Sequence, residues 1–229
     1  MTVTENTNGL TKTQVTKALK VQAETEKKPT KVSSGQIHLE PIKTETIFVD
    51  IVGLTPLITH RWSEKAMRIM LAKQQGIKLP TELRDPDEEY ESSIYRLSYG
   101  GYGFPVLAFK AATVAGARLF GKEVTMASLK PQLRFHADDA KTGLVEIKCE
   151  EGPIMRTDMV RIGPGTADLR FRAEYSDWSA RLCVEFPTNA ISTDSVVALI
   201  DAGGRSGVGE WRAEKDGIYG SYTVVAEAL

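Results

Sequence analysis

Cysteine and histidine are scarce in this chain, and their scarcity removes whole classes of chemistry at the outset. Only Cys149 and Cys183 occur among 229 residues, with no CxxC pair, a pattern that fits a reducing compartment and small apolar side chains better than a disulfide framework. His38, His60 and His136 are the only histidines, and no zinc-type spacing joins them to one another or to the cysteines, so no dedicated metal site is expected. Long apolar runs are also missing: nothing approaches the roughly 18 residues of a membrane-spanning helix. The opening Met1-Thr-Val-Thr-Glu-Asn-Thr7 has neither the basic nor the apolar region of a secretory signal. The expectation is a cytoplasmic protein with no membrane partner. Charge of one sign is absent too, since 29 Lys and Arg oppose 30 Asp and Glu for a net charge of −1. Bulk charge therefore cannot hold nucleic acid or an anionic membrane, and any such contact must be local. Neither GxxxxGK[ST] nor GxSxG occurs, so no ATP, NAD or other cofactor is expected.

What is present suffices for a core without staples, with 41% hydrophobic and 26% charged residues. Residues 1–44 carry seven Lys against four acidic residues and few large apolar side chains, which predicts a flexible basic arm. Within it, Leu10 to Leu19 has a weak helical repeat that a partner would order. Subtracting the arm leaves 22 basic and 26 acidic residues, a body of charge −4. That body, 45–229, reads as one α+β domain with insertions at about 77–104 and a hairpin at about 150–166.

Ile47, Val49 and Ile51 alternate along Thr46–Val52 and predict the first core strand. Ser63 then caps a helix whose stripe of Met67, Met70 and Leu71 reads as core, with Gly76 ending it. The acidic, proline-punctuated Pro80–Tyr95 reads as a solvated loop and short helix, and Leu107–Phe120 as a four-turn helix closed by Gly121. Strand periodicity follows in Leu144–Lys148. It recurs in Ala167–Tyr175, where Leu169, Phe171, Ala173 and Tyr175 share a core face opposite charged Asp168, Arg170, Arg172 and Glu174. Trp178–Phe186 alternates likewise, and the Ser176-Asp177 link predicts that these two strands form a hairpin. Ser192 caps a short helix ended by Gly203-Gly204, and Ile218–Val225 supplies a last strand. This order predicts a ferredoxin-like (RRM-like) sandwich with insertions and a glycine-rich loop before the last strand.

Three segments are candidates for chemistry. Gly203–Tyr222 holds six glycines, interleaving Arg205, Arg212 and Lys215 with Trp211, Tyr219 and Tyr222. Gly207 and Gly209 let backbone approach a ligand, the cations suit phosphates, and the rings suit stacking on unpaired bases. The same loop reads equally as a structured turn, because Glu210, Glu214 and Asp216 bring its formal charge to zero. Met155–Thr166 carries Arg156 and Arg161 beside Met155, Met159 and Ile162, and Arg170, Arg172 and Arg181 follow. An arginine hairpin with apolar wedges suits backbone gripping and base displacement, and suits packing on a neighbouring subunit as well. Third, His60 and Arg61 follow the first strand, where a histidine can serve as general base on a ribose hydroxyl or as a structural hydrogen-bonding residue.

The Gly-Leu-Thr-Pro-Leu turn at 53–57, together with Gly203-Gly-Arg-Ser-Gly-Val-Gly209 and Asp216-Gly-Ile-Tyr-Gly-Ser-Tyr-Thr-Val224, resembles the RAMP superfamily, which includes the CRISPR guide-RNA backbone subunits. The chain also looks like proteins of bacteriophages and prophages. The resemblance implies an RNA-contacting loop at 203–220, a thumb hairpin at about 150–166 and subunits that stack into a filament. The leading expectation is a non-enzymatic protein that binds single-stranded RNA or DNA and self-assembles along it, in a bacterial cytoplasm or a phage-infected cell. The alternatives are a phage structural or assembly protein making protein contacts, and a metal-independent ribonuclease using His60.

Overall fold

A computed structural model describes residues 41–80, 83–163 and 165–225. The arm's residues 1–40, with their helical repeat, lie outside these described residues. The domain that follows is α+β, built on antiparallel sheets.

The main sheet contains β1 (Thr44–Gly53), β4 (Arg134–His136), β8 (Ser179–Pro187) and β9 (Tyr222–Val224) in the order β4-β8-β1-β9, every neighbouring pair antiparallel. The alternation in β1 works as expected: Val49 and Ile51 are buried while Phe48 stands 68% exposed on the opposite face. Register places Val49 opposite Leu182 and Ile47 opposite Val184, so both strands turn their β-branched and leucine side chains to one side. On that side lie α3 (Val106–Gly116) and α5 (Thr193–Ser206), which contribute Phe109, Val196, Leu199 and Ile200 to the core.

Helix α5 is longer than expected. Ser192 caps it by accepting from the Ser195 amide, but the helix runs through Gly203-Gly204 and ends at Gly207, whose φ of 71° is left-handed. The paired glycines serve contact and not termination. A Cβ on Gly203 would lie 2.8 Å from the backbone of Ala112 and Thr113, and one on Gly116 would lie 2.8 Å from the Gly203 nitrogen. Two helix backbones touch there, which only glycine permits.

Two strand assignments change. Ala167–Tyr175 and Trp178–Phe186 form no hairpin with each other. β7 (Thr166–Tyr175) pairs with β6 (Ile154–Gly163) and β2 (Leu57–Thr59), whereas β8 belongs to the main sheet. Between them Trp178 is buried and donates from Nε1 to the Thr55 carbonyl at 2.9 Å, anchoring the chain as it passes from one sheet to the other. A short link is compatible with either outcome, because alternation specifies a face and not a pairing partner. The hairpin that does form, β6–β7, absorbs both the expected 150–166 projection and the strand after it. Leu144–Glu146 forms β5, but it pairs with β3 (Gly103–Pro105) outside the main sheet, and β4, which the periodicity did not mark, pairs with β8 at that sheet's edge. The last strand is shorter than predicted, with Ile218 exposed ahead of it.

Helix α1 (Glu64–Gln74) begins where Ser63 predicts, the hydroxyl accepting from the Ala66 amide, and Gly76 follows with φ 73°. Its methionine stripe is not core: Met67, Met70 and Leu71 are exposed and only Ala72 is buried. Helix α2 (Pro86–Ser93), capped by Asp85, lies against β7, with Ser93 buried and donating to Tyr90. Helix α4 (Met126–Gln132) leads into β4.

The glycine crossing predicts that Gly203→Ala forces α3 and α5 apart and destabilises the domain by about 2 kcal/mol, the scale of overpacking a filled site. Urea unfolding reads this as a lowered midpoint. Ser206→Ala, one turn later, should stay within about 0.5 kcal/mol of the parent, as surface changes do.

Candidate nucleic-acid interface

Arg172, expected on a solvated charged face of β7, is only 5% exposed. A guanidinium remains charged when buried, so it must be surrounded by partners. Its Nη1 lies 3.4 Å from Asp158 Oδ2, itself buried on β6, and its Nε donates to His60 Nδ1 at 3.1 Å. The face of Trp211 covers it at 5.3 Å, and Glu210 stands 3.8 Å from Nη2. Directly opposite on β6, Arg156 pairs with Asp158 and Glu174, each at 2.7 Å. Its guanidinium lies 4.8 Å from the Tyr219 ring centre and 5.5 Å from that of Trp211. Cation–π contacts of this kind favour Arg over Lys. Four residues singled out from three separate segments, His60, Arg156, Arg172 and Trp211, therefore join Asp158, Glu174 and Glu210 in one cluster in which each guanidinium meets carboxylates.

The loop is held by its backbone. Val208 N–H donates to Gly220, Glu210 N–H to Ile58 and Gly220 N–H to Pro56, at 2.8–2.9 Å. Gly209, at φ 81°, brings the chain so close that a Cβ there would meet the Ile58 carbonyl at 2.5 Å. Trp211 itself has φ 50°, a left-handed conformation uncommon outside glycine. Strain at Trp211 is held in place by the two arginines and by the Tyr219 amide, which donates to the Trp211 carbonyl. Arg212 is held by the Gly209 carbonyl at 3.2 Å and Glu214 at 3.3 Å. Arg205, Lys215 and, on the β6–β7 hairpin, Arg161 are exposed, with no ion partner among the described residues.

A cleft of about 880 Å³ opens beside this cluster, walled by α1, the segment after it, α2 and β7. His60 lies at its boundary with the cluster. Arg61, Lys65, Arg68, Lys73 and Lys78 line it, and Trp62, Ile69, Met70 and Phe171 supply apolar surface. Its two acids are both gripped by one residue: Arg84 binds Glu89 through two bonds of 2.6 Å and Asp168 at 2.5 Å, with Arg170 adding a second contact to Asp168 at 3.0 Å. These carboxylates hold the Arg84 guanidinium well above its usual range, while Arg84 and Arg170 oppose burial and keep Asp168 below the ordinary carboxylate value. The cleft thus presents net positive charge beside apolar walls.

Arg61 and Arg170 in this cleft were singled out from the sequence; Lys65, Arg68, Lys73 and Lys78 were not. The signal was present, since cations at 65, 68 and 73 fall on one side of an α-helix. It lay behind the methionines of the same helix, whose spacing looked like a core stripe. Exposed Met70 and Ile69 and the cations instead line one concavity together.

His60 illustrates how the cluster constrains chemistry. Burial lowers its pKa, Arg172 and Arg170 lower it further, and Glu210 and Glu89 act in the opposite sense. With Nδ1 accepting from Arg172, the neutral ring carries its proton on Nε2. A histidine pKa lowered by folding contributes stability above the unfolded value, and that contribution is lost as pH falls through the folded value. An NMR titration of the His60 ring should find a midpoint below about 6.5, the ordinary histidine value. The unfolding free energy should decline over the same interval, less so in His60→Gln; a midpoint above the ordinary value contradicts this geometry.

No family profile matches the chain, and no curated protein does. Among solved structures, the crystal structure of Cmr6 from Pyrococcus furiosus is similar at 12% identity and a TM-score of 0.41, covering 81% of this chain and 100% of that one. No helix among the described residues is long and apolar enough to cross a membrane.

Proposed function

We propose that this protein binds single-stranded RNA or DNA without acting on it chemically, and that copies assemble along the strand. The observation that carries this reading is the cleft, where Arg61, Lys73 and Lys78 stand beside Trp62 and Phe171 while both acids are neutralised by Arg84. Cations spaced along a groove with aromatic rings suit a flexible strand, whose unpaired bases are available to stack. Arg161, Arg205 and Lys215 are further exposed cations outside the cleft, and the Trp211 cluster braces the cleft's edge through the Arg172–His60 hydrogen bond. A non-catalytic role is supported by His60, whose Nδ1 lone pair is already engaged by Arg172.

The fold is read as a ferredoxin-like sandwich of the RAMP type. Its support is the chain order β1, α3, β4, β8, α5, β9 with sheet order β4-β8-β1-β9 and both helices on one face. Assembly is supported by the β6–β7 hairpin, one face of which exposes Met155, Met159 and Leu169, Met159 at 75%. The same apolar surface favours the second reading, an assembly protein that contacts other proteins and needs no nucleic acid.

Fluorescence anisotropy with labelled single-stranded RNA, single-stranded DNA and duplex, repeated across salt concentrations, separates the two. Saturable single-strand binding should weaken with salt. Lys73→Glu with Lys78→Glu should reduce affinity at least tenfold and flatten the log–log salt slope by about 0.7 for each phosphate no longer neutralised. Absence of binding at low salt, or unchanged affinity in the folded double variant, overturns the nucleic-acid reading. Concentration-dependent assembly without any strand then supports the other.

A further inference from the structure

We infer that the cleft is a pocket for one nucleotide unit of the bound strand, with an unstacked base against Trp62 and Phe171 and its flanking phosphates on Arg61, Lys73 and Lys78. This inference rests on the nucleic-acid reading and names what the site takes from the strand. The first observation is size. A space of about 880 Å³ falls within the range of pockets that enclose a small molecule, roughly 300–1,000 Å³, which a surface that only tracks phosphates does not require. The second is division of labour within it. Trp62 is 55% exposed, an unusual state for an indole, and Ile69 and Met70 stand exposed beside it. A site for phosphate alone has no use for these side chains, and a site for an uncharged apolar ligand has no use for the cations. A nucleotide unit carries both chemistries at once.

The third observation concerns what the pocket would fail to read. Ser93 Oγ donates to the Tyr90 carbonyl at 2.7 Å and accepts from the Ala173 amide at 2.8 Å. Ser92 Oγ donates to the Glu89 carbonyl at 2.9 Å, and the Glu89 and Asp168 carboxylates belong to Arg84. The serine hydroxyls and carboxylates of this wall are thus already committed to holding α2 and β7 together, which leaves the Nε2–H of His60, at the cleft's boundary, as a neutral donor. Recognition otherwise rests on stacking and charge, and stacking tolerates any base. The pocket distinguishes a base from no base and discriminates little among the four.

Competition between oligonucleotides tests this on the full chain. The probe is a labelled 12-nucleotide single strand, about the site size expected for such a groove, competed with intact strands and with a strand of the same length built of abasic units. Intact poly-A, poly-C and poly-U strands should compete within about fivefold of one another, and the abasic strand at least tenfold more weakly, as the absence of base stacking implies. Trp62→Ala should bring intact-strand affinity down to the abasic level, Trp62→Phe should restore most of it, and urea midpoints should not move because Trp62 is exposed. Lys73→Glu with Lys78→Glu should weaken intact and abasic strands alike.

Equal competition by intact and abasic strands overturns the pocket while leaving strand binding in place. Failure of every strand to bind removes the nucleic-acid reading. If adenosine 5′-monophosphate then binds, and Trp62→Ala abolishes that binding, the pocket stands as a nucleotide site without a strand. Binding of dodecyl phosphate with none of adenosine 5′-monophosphate overturns it in favour of an amphiphile.

Discussion

A charged guanidinium sealed inside the domain sets the terms for everything around it. Arg172 cannot shed its proton, and removing a charge from water costs several kcal/mol unless partners replace the lost hydration. Those partners come from separate parts of the chain: Asp158 from β6, His60 from the segment after β2, and Trp211 with Glu210 from the loop before β9. Each is placed by a different device. Asp158 sits one step diagonal to Arg172 across the hairpin, fixed by the pairing of Arg156 with Arg172. His60 is fixed by the ladder between β2 and β7. Trp211 is fixed by a loop whose backbone docks on Pro56 and Ile58. A slip of one residue in the hairpin would turn Arg172 to the other side of the strand and leave the indole and imidazole without their partner.

The cleft follows from the same strand. Residues 168, 170 and 172 lie on one side of β7, and their surroundings change steadily along it. Arg172 is enclosed beneath Trp211, Arg170 is half-buried, and Asp168 faces the cleft in the grip of Arg84. A single alternating row therefore begins as a structural ion cluster and ends as the wall of an open site. The acids along this row are neutralised by arginines of the same row or of the segment entering α2, so the positive charge of Arg61, Lys73 and Lys78 is not offset by the cleft's own carboxylates.

Features that depend on a few neighbouring residues were legible in the sequence. Ser63 and Ser192 cap helices where expected, since a cap is decided by a side chain and an amide three residues away. The alternation of β1 and β8 was equally plain, whereas on β7 the expected core face holds only at Ala173 and Tyr175, Leu169 being exposed and Arg172 of the charged face buried. What could not be read was the partner of each strand. The Ser176-Asp177 link fits a hairpin as well as a passage between sheets, and the choice was made by Trp178 reaching the distant Thr55 carbonyl. Gly203 and Gly204 illustrate the same limit: two glycines near a helix end suggest termination, and only the position of α3 reveals that they are a contact. In the site, the arginines of the hairpin and the aromatic residues of the loop were recognisable as unusual. That they would satisfy one another, and so leave the cleft beside them as the more accessible surface, depended on contacts between residues far apart in the sequence, Arg156 with Trp211 and Tyr219.

Formal charge misleads for a related reason. The loop sums to zero and the body after residue 44 to −4, values that argue against an anionic ligand if charge is treated as a total. The arrangement changes what those acids can do. Glu210 faces Arg172, while Glu214 is shared between Arg118 and Arg212 at 3.3 Å each. Glu174 and Asp158 hold Arg156, and Asp168 and Glu89 hold Arg84. Acids spent on internal partners contribute little to the potential a ligand meets, since the field of a close pair falls away faster than that of a lone charge. Arg61, Arg161, Arg205 and Lys215, exposed and with no ion partner among the described residues, act at longer range. An acidic protein can thus present a basic surface, because pairing decides which of its charges reach the solvent.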